Sequence, residues 1–181
     1  MKKQPCDDRL NEEIRRRAVI EQDLNLRLRQ QEAIASLGEN ALGYQDLDAL
    51  FQEAVNCVAE TLGMEYCKVL QLMPGRNSLL LRAGVGWKEG LVGHALVGTE
   101  MDSQAGYTLF IDEPVIVDDL RTETRFSGPT LLHDHQVVSG MSVVIPGKNG
   151  PWGVLGVHSS QQRVFHPQDT RFIKAVANIL A

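Results

Sequence analysis

Cysteine is scarce in this chain, and a long apolar run is missing. The 181 residues include three cysteines, Cys6, Cys57 and Cys67, an odd number without the spacing of a metal site. This usage indicates a reduced, cytoplasmic environment. No apolar run is long enough to span a bilayer, and the polar start leads into charges rather than the apolar core of a signal peptide. We therefore expect no direct membrane contact by this chain, although a longer parent protein is free to carry a membrane segment elsewhere.

A basic charge balance is also missing. The net charge of −5 gives no electrostatic reason to bind nucleic acid or anionic lipid, so we expect no nucleic-acid partner. The hydrophobic content of 43% is enough to bury one good core. The length then predicts one domain plus an appendage.

Enzyme signatures are absent as well, including those of kinases, cyclases and phosphodiesterases. The Ser, His and Asp residues form no ordered nucleophile motif. The glycines at 84, 86, 90 and 93 do not lead from a strand into a helix, as a dinucleotide fingerprint requires, and are interpreted as turn glycines. We expect that this chain is not an enzyme.

A long polar helix is predicted at the start of the chain. Residues 8–38 contain no proline and no glycine before Gly38, and they are rich in Glu, Arg, Gln and Leu. Such a polar segment is not expected to be a core helix, which leaves a solvated linker or a two-stranded coiled coil. We favour the coiled coil, and hence a homodimer, because one narrow stripe is apolar although charged residues interrupt it. The stripe comprises Leu10, Ile14, Leu24, Leu28 and Ala35.

A globular domain is predicted over residues 43–181, after an appendage of residues 1–42. A helix over 47–62 ends at Gly63, and two strands, 66–73 and 78–85, follow. Residues 84–112 are rich in glycine and contain no strong strand, although Ser103 is a plausible helix N-cap. A short strand led by Pro114, a hairpin from residue 138 and a helix with Pro167 in its first turn complete the domain. We predict an α+β fold with a mostly antiparallel sheet of five or six strands, helices on one face and loops over the other.

Local strings in this domain resemble the GAF family. They are Ser103-Gln-Ala-Gly-Tyr-Thr-Leu before Asp112-Glu-Pro-Val-Ile-Val-Asp-Asp-Leu, and Gly153-Val-Leu-Gly-Val-His-Ser before Phe165-His-Pro-Gln-Asp. The helix before them resembles the connectors of bacterial sensor histidine kinases and cyclic-di-GMP enzymes. This resemblance implies a small-molecule-sensing and dimerisation domain of a signal-transduction protein, such as a two-component histidine kinase or a diguanylate cyclase. Its N-terminal and C-terminal helices are expected to pair in a homodimer and to signal to an output domain absent from this chain.

A ligand pocket is expected between the sheet and the loops of 84–132, because loops over a sheet leave concavities that helices would fill. The ligand itself is not identified by the residues, and the choice among nucleotides, tetrapyrroles, metabolites and gases stays open. Two candidate apolar walls are Trp87 and Phe126. The candidate polar contacts are Ser103, Gln104, Tyr107, Asp119, Arg121, His133, His135, Ser139 and His158.

The residue types of this pocket favour neither a metal site nor a covalently attached cofactor. His133 and His135, with His158 on a neighbouring strand, are more simply interpreted as loop or pocket histidines than as metal ligands. GAF domains of the phytochrome type attach a bilin through a cysteine, and the matching place here is near Ser127 and Gly128. A hydroxyl forms no stable thioether, so no covalent bilin is expected; non-covalent binding stays open as an alternative.

Two further alternatives remain. A ligand-free dimerisation spacer is expected to fill the pocket with side chains such as Trp87, Phe126 and Leu132. A redox enzyme of the same fold needs reactive thiols, whereas Cys57 and Cys67 lie among apolar residues and are interpreted as small core residues.

Overall fold

The computed structural model describes residues 5–43 and 46–181, with side chains from residue 10 onward, so Cys6 lies outside the described side chains. The described residues form five helices and six strands, and the strands make one sheet. The helices are α1 (Pro5–Ala41), α2 (Leu47–Leu62), α3 (Gln104–Ile111), α4 (Thr130–His133) and α5 (Pro167–Ile179). The strands are β1 (Tyr66–Leu72), β2 (Ser78–Val85), β3 (Leu96–Gly98), β4 (Val115–Val117), β5 (Ser139–Ile145) and β6 (Gly153–Ser159).

The sheet has six strands in the order β3-β2-β1-β6-β5-β4, and every neighbouring pair is antiparallel. This confirms the predicted α+β class and the antiparallel sheet. The strand that follows Pro114 lies at one edge, where a residue without an N–H is tolerated. Residues 84–112, expected to contain loops and no strong strand, include the short strand β3. Its three residues pair with Ser78–Leu80, and so short a segment between glycines carries no alternation that a sequence pattern can reveal.

The helices α2 and α5 cover one face of the sheet and enclose the largest buried apolar cluster. Gly63 adopts a left-handed conformation (φ 60°) just after α2, which confirms the predicted stop. Pro167 occupies the first turn of α5, again as predicted. The opposite face is covered by α3, α4 and the loops around them, which pack two smaller apolar clusters against the sheet.

The end of α1 is part of the domain, contrary to the expectation that this helix takes no part in the core. Leu37 is 1% exposed and belongs to the cluster between the helices and the sheet. Gln30 is also buried, and its Nε2 donates a hydrogen bond of 3.0 Å to Asp169 of α5. The helix continues through Gly38 because its last turns pack against α2 and α5, a tertiary effect that outweighs the low helix propensity of glycine.

The first part of α1 is solvent-exposed. Leu10, Ile14, Leu24 and Leu28 are each more than half exposed. Among the described residues, no helix combines the length and the apolar character needed to cross a membrane.

Candidate functional site

A buried group of polar side chains lies on the sheet face that α3 and the loops cover. We call Lys68, Gln104, Thr108, Ser142 and His158 the polar cluster. Each of these side chains is buried. They come from β1, α3, β5 and β6, so the cluster joins the centre of the sheet to the helix above it.

Strand alternation directs Lys68 to this face. Its neighbours Cys67 and Val69 belong to the apolar cluster on the helix side, so Lys68 faces the loop side. Glycines flank it on both neighbouring strands, since Lys68 pairs with Gly84 on β2 and with Gly156 on β6. The missing side chains leave room for the lysine to lie along the sheet.

The amine of Lys68 is buried beside an aromatic ring. Its side chain is 2% exposed, and its Nζ lies 5.2 Å from the centroid of the Trp87 ring. Burial lowers the pKa of Lys68 to about 7, against an opposing contribution from Cys67. No described carboxylate forms an ion pair with it.

His158 is 1% exposed, and neither ring nitrogen has a hydrogen-bond partner within the described chain. Its imidazole lies against Gly140 of β5. Burial, followed by the nearby charge of Lys68, places the pKa of His158 well below its ordinary value. Unpartnered buried polar atoms are rare in folded proteins, and each needs an explanation.

Helix α3 supplies the upper side of the cluster. Ser103 caps it as predicted, because its hydroxyl accepts a hydrogen bond of 3.0 Å from the N–H of Gly106. Thr108 lies one turn after Gln104, and its hydroxyl is 2.7 Å from that of Ser142 on β5. The Gln104 amide is buried, and its Nε2 has no hydrogen-bond partner within the described chain.

Aromatic rings cover the cluster. Trp87 lies 4.9 Å from the His135 ring and 5.9 Å from the His158 ring, centroid to centroid, and its Nε1 donates a hydrogen bond of 2.7 Å to the Cys67 carbonyl. His135 donates from Nδ1 to the Leu131 carbonyl (2.8 Å) and accepts at Nε2 from the Lys88 N–H (2.9 Å). Both of its nitrogens are thereby occupied, which leaves no lone pair for a metal.

The residues predicted from sequence divide into three groups. Trp87, Gln104, His135 and His158 lie at the cluster or directly above it. Ser103, Tyr107 and Phe126 lie one layer further out. Ser103 caps α3, and the rings of Tyr107 and Phe126 pack with their centroids 5.5 Å apart. The remaining four, Asp119, Arg121, His133 and Ser139, lie elsewhere.

Local partners explain the position of those four residues. Asp119 and Arg121 pair with each other at 2.6 Å, and this pairing lowers the pKa of Asp119. Exposed His133 donates a hydrogen bond of 2.9 Å to the Ser127 carbonyl. Ser139 points to the helix side of the sheet, in alternation with Gly140, and its hydroxyl donates to the Gln161 carbonyl.

Lys68, Thr108 and Ser142 were missed by the sequence reasoning. A signal for Lys68 was present, because a lysine between Cys67 and Val69 is unusual in a largely apolar strand. Thr108 and Ser142 gave no comparable signal. Their pairing depends on how α3 lies across β5.

The cysteines provide no activated thiol in the described part of the chain. Cys67 is fully buried, and burial raises its pKa far above the ordinary value. Burial also raises the pKa of Cys57, which is partly exposed on α2. Within the described residues, no three His, Cys, Asp or Glu side chains are grouped as a metal site.

A concavity with a volume of about 680 Å³ lies between α1 and α2. Its lining includes Leu37, Gln52, Asn56 and Cys57. We favour the polar cluster as the functional site because the unpartnered buried polar atoms lie there, whereas the concavity between α1 and α2 is open to solvent.

Comparison with known proteins identifies the fold. A search of curated protein sequences finds no match. Two similar solved structures are GAF domains of phosphoenolpyruvate-protein phosphotransferases. The one from Coxiella burnetii is 14% identical, with a TM-score of 0.77 over 85% of this chain and 91% of that chain. The one from Acinetobacter is 20% identical, with a TM-score of 0.73 over 83% and 89%.

A third similar structure is the free methionine-R-sulfoxide reductase from Neisseria meningitidis in complex with its substrate. It is 15% identical, with a TM-score of 0.70 over 83% of this chain and 85% of that chain. At such identities the structural likeness shows that the fold is shared, and it does not show that the activity is shared. The family model described as "GAF domain" matches residues 46–181, and this chain therefore belongs to the GAF domain family.

Proposed function

We propose that this chain is a cytoplasmic regulatory domain that binds a small molecule at the polar cluster and transmits the binding to an output domain. GAF domains are commonly sensory or regulatory. The observation that carries the proposal is the set of buried polar groups without partners, namely both ring nitrogens of His158 and the amide nitrogen of Gln104. Each such group costs about 1–3 kcal/mol in an apolar interior, and a ligand with matching polar atoms removes this cost.

The sheet provides the path for the signal. Ser142 and His158 face the cluster, while their neighbours Met141 and Val157 pack among the helices on the other side. Thr170 of α5 also contacts the Met141 sulfur at 3.4 Å. A shift of β5 and β6 on ligand binding therefore moves α5, and through α5 the end of α1. A difference of about 1–3 kcal/mol between the two helix arrangements is sufficient for a switch.

The partner proposed for α1 is a second copy of this chain. The stripe of Leu10, Ile14, Leu24 and Leu28 is exposed to solvent, while Asp23 and Gln30 of the same helix contact α5. Ion pairs such as Glu13–Arg17 and Asp23–Arg27 stabilise the helix and leave the apolar stripe exposed. A parallel pairing would bring the two domains side by side and place an output domain, of the histidine kinase or diguanylate cyclase type, under their joint control.

The thiols support a regulatory role over a redox enzyme. A nucleophilic cysteine needs a lowered pKa, and the pKa values of Cys57 and Cys67 are raised. His135 and His158 do not activate Cys67, because they lie on the opposite side of the sheet from its thiol.

Native mass spectrometry of protein isolated from cell extract tests the proposal. We expect a retained small molecule, and its addition to stripped protein should raise the melting temperature. The variant His158→Phe should lose this rise, whereas His133→Phe, on the exposed surface, should keep it. An equal rise in both variants contradicts binding at the cluster.

A ligand-free dimerisation spacer is the second candidate. It is favoured by the packing of Phe126 and Leu132, which are buried and, together with Trp87, fill the space above the cluster. In that case extract compounds leave the melting temperature unchanged, and dimerisation persists in the His158→Phe variant.

A further inference from the structure

We propose that the polar cluster recognises a small organic anion through its carboxylate group, with Lys68, Gln104 and His158 as the hydrogen-bond donors. This inference rests on the proposed sensing function and names the class of ligand. It depends on the charge, donor content and geometry of the cluster.

The first argument is charge. Lys68 is buried beneath Trp87, and no described carboxylate forms an ion pair with it. An isolated buried charge is unfavourable by several kcal/mol, so the buried amine loses much of its charge near neutral pH unless a counter-ion accompanies it. An anion bound beside Nζ supplies the missing counter-ion. A neutral ligand leaves the lysine as it is.

The second argument is the balance of donors and acceptors. The lysine ammonium has three N–H donors, the Gln104 amide nitrogen has two, and the neutral imidazole of His158 has one. The amide nitrogen and the imidazole have no partners in the described chain. The hydroxyls of Thr108 and Ser142 are already hydrogen-bonded to each other. A carboxylate accepts about four hydrogen bonds and donates none, which suits a site with excess donors.

The third argument is convergence. Lys68 and His158 approach each other above Gly156, since a Cβ there would lie 3.1 Å from His158 Nε2 and 3.5 Å from Lys68 Cε. Ser142 is the partner of Gly156 across β5 and β6, and α3 lies over Ser142. Lys68 and His158 therefore meet at one small region of the sheet with Gly156 as its floor, and Gln104 lies one turn before Thr108 on the face of α3 that contacts Ser142.

Ionisable groups around the lysine are few. Tyr66 and Cys67 are its neighbours on β1, His158 approaches from β6, and His135 lies beyond the Trp87 ring. Gln104 and Thr108 are the residues that α3 directs to the cluster, and both are uncharged. The anion is therefore expected to hold Lys68 in its charged form and to bind together with a proton.

Access to the region requires movement of Trp87. This residue follows Gly86, which has a φ of 83°, and precedes Gly90, which has a φ of 80°. A segment between two such glycines can change direction at little steric cost. Small anions that slip under the indole are thus favoured over bulky ones.

The test is an NMR and calorimetric titration of the whole chain. The probes are acetate, malonate and inorganic phosphate, with acetamide as the uncharged counterpart of acetate. We expect acetate or malonate to shift the Gln104 side-chain and His158 ring nitrogen signals saturably, with uptake of up to about one proton near pH 7.5. Phosphate is expected to bind less well, and acetamide should give no saturable shift.

Matched lysine variants assign the charge. Lys68→Met should weaken carboxylate binding at least tenfold, whereas Lys148→Met, in the exposed hairpin loop, should leave it unchanged. If Lys68→Met fails to fold, Gln104→Leu takes its place and should also weaken carboxylate binding, and the wild-type NMR shifts still compare acetate with acetamide. Unchanged affinity in Lys68→Met, or equal shifts by acetamide and acetate, overturns the proposal.

The two proposals fail in distinguishable ways. If a neutral compound from cell extract shifts the Gln104 and His158 signals and no anion does, the sensing function stands and the anion class is wrong. If phosphate alone binds and does so at exposed lysines, the anion class is also wrong. If neither the three anions nor extract compounds perturb these signals, both proposals are wrong.

Discussion

Lys68 links the polar cluster to the stability of the whole domain, because its pKa differs between the folded and unfolded chain. The folded pKa is about 7, whereas the ordinary value is 10.5. Between these values the unfolded chain binds more protons, so the free energy of unfolding rises with pH. His158 acts in the same direction at lower pH, since its pKa is also lowered.

We predict that the unfolding free energy of the wild type rises by about 1–2 kcal/mol between about pH 7 and about pH 8.5. This window stays below the ordinary thiol pKa of 9.0, above which Cys57 and Cys67 act in the opposite direction. In Lys68→Met the rise should disappear, and in Lys148→Met it should persist. Urea denaturation at several pH values measures it. A rise of the same size in Lys68→Met would contradict the burial of its charge.

Gly140 tests the packing beneath His158. A Cβ at this position would meet the imidazole Nδ1 and would lie 2.8 Å from the Val157 carbonyl oxygen, which is backbone and cannot turn away. We predict that Gly140→Ala lowers the free energy of unfolding by about 1–3 kcal/mol.

Gly38→Ala is the contrasting substitution. A Cβ at Gly38 meets only the Ile179 side chain, at 3.9 Å, and the residue lies within α1. We expect a gain of about 0.5–1 kcal/mol from the higher helix propensity of alanine. Thermal denaturation of Gly140→Ala and Gly38→Ala measures both effects. A similar loss of unfolding free energy in the two variants would show that crowding at Gly140 is not the cause.

At the scale of elements, local signals predicted the structure well wherever they were strong. The bounds of β2, the Ser103 cap of α3, Gly63 after α2 and Pro167 in α5 all follow from residues within one turn. Each depends on backbone chemistry that neighbours in sequence determine.

Elements decided by distant contacts were not predictable in the same way. Strand β3 exists because β2 offers an edge with which it can pair. The end of α1 is buried because α2 and α5 supply the facing surface. The burial of Lys68 likewise depends on Trp87, which arrives from a loop. The sequence therefore predicted which face of the sheet carries the candidate site and some of the residues there, but it did not predict the central lysine.

The exposed part of α1 leads to a prediction about assembly. Replacing Leu24 and Leu28 by Asp places charges within the proposed seam, so the light-scattering mass should fall from dimer to monomer. Gln22→Asp with Asn25→Asp adds the same charge to exposed polar positions of the same turns and should leave a dimer. A mass unchanged by the leucine replacements would reject pairing through this stripe.

At the scale of the whole molecule, signal transfer requires that α1 and the domain share one cooperative structure. Val19 and Leu37 lie on the same face of α1, because eighteen residues make five helical turns. Leu37 is 1% exposed within the core, whereas Val19 is 65% exposed. The two residues therefore lie on the same face of the helix, and they differ in whether that face packs against the domain.

We predict that Leu37→Ala lowers the free energy of global unfolding by about 2–4 kcal/mol, because it leaves a cavity among α1, α2 and α5. Val19→Ala should change it by less than about 0.5 kcal/mol. Urea denaturation followed by Trp fluorescence measures both variants, since Trp87 and Trp152 lie in the domain and not on α1. A small effect of Leu37→Ala on this signal would mean that the helix unfolds separately from the domain. In that case no change at the sheet reaches α1, and transmission to an output domain would have to run through α5.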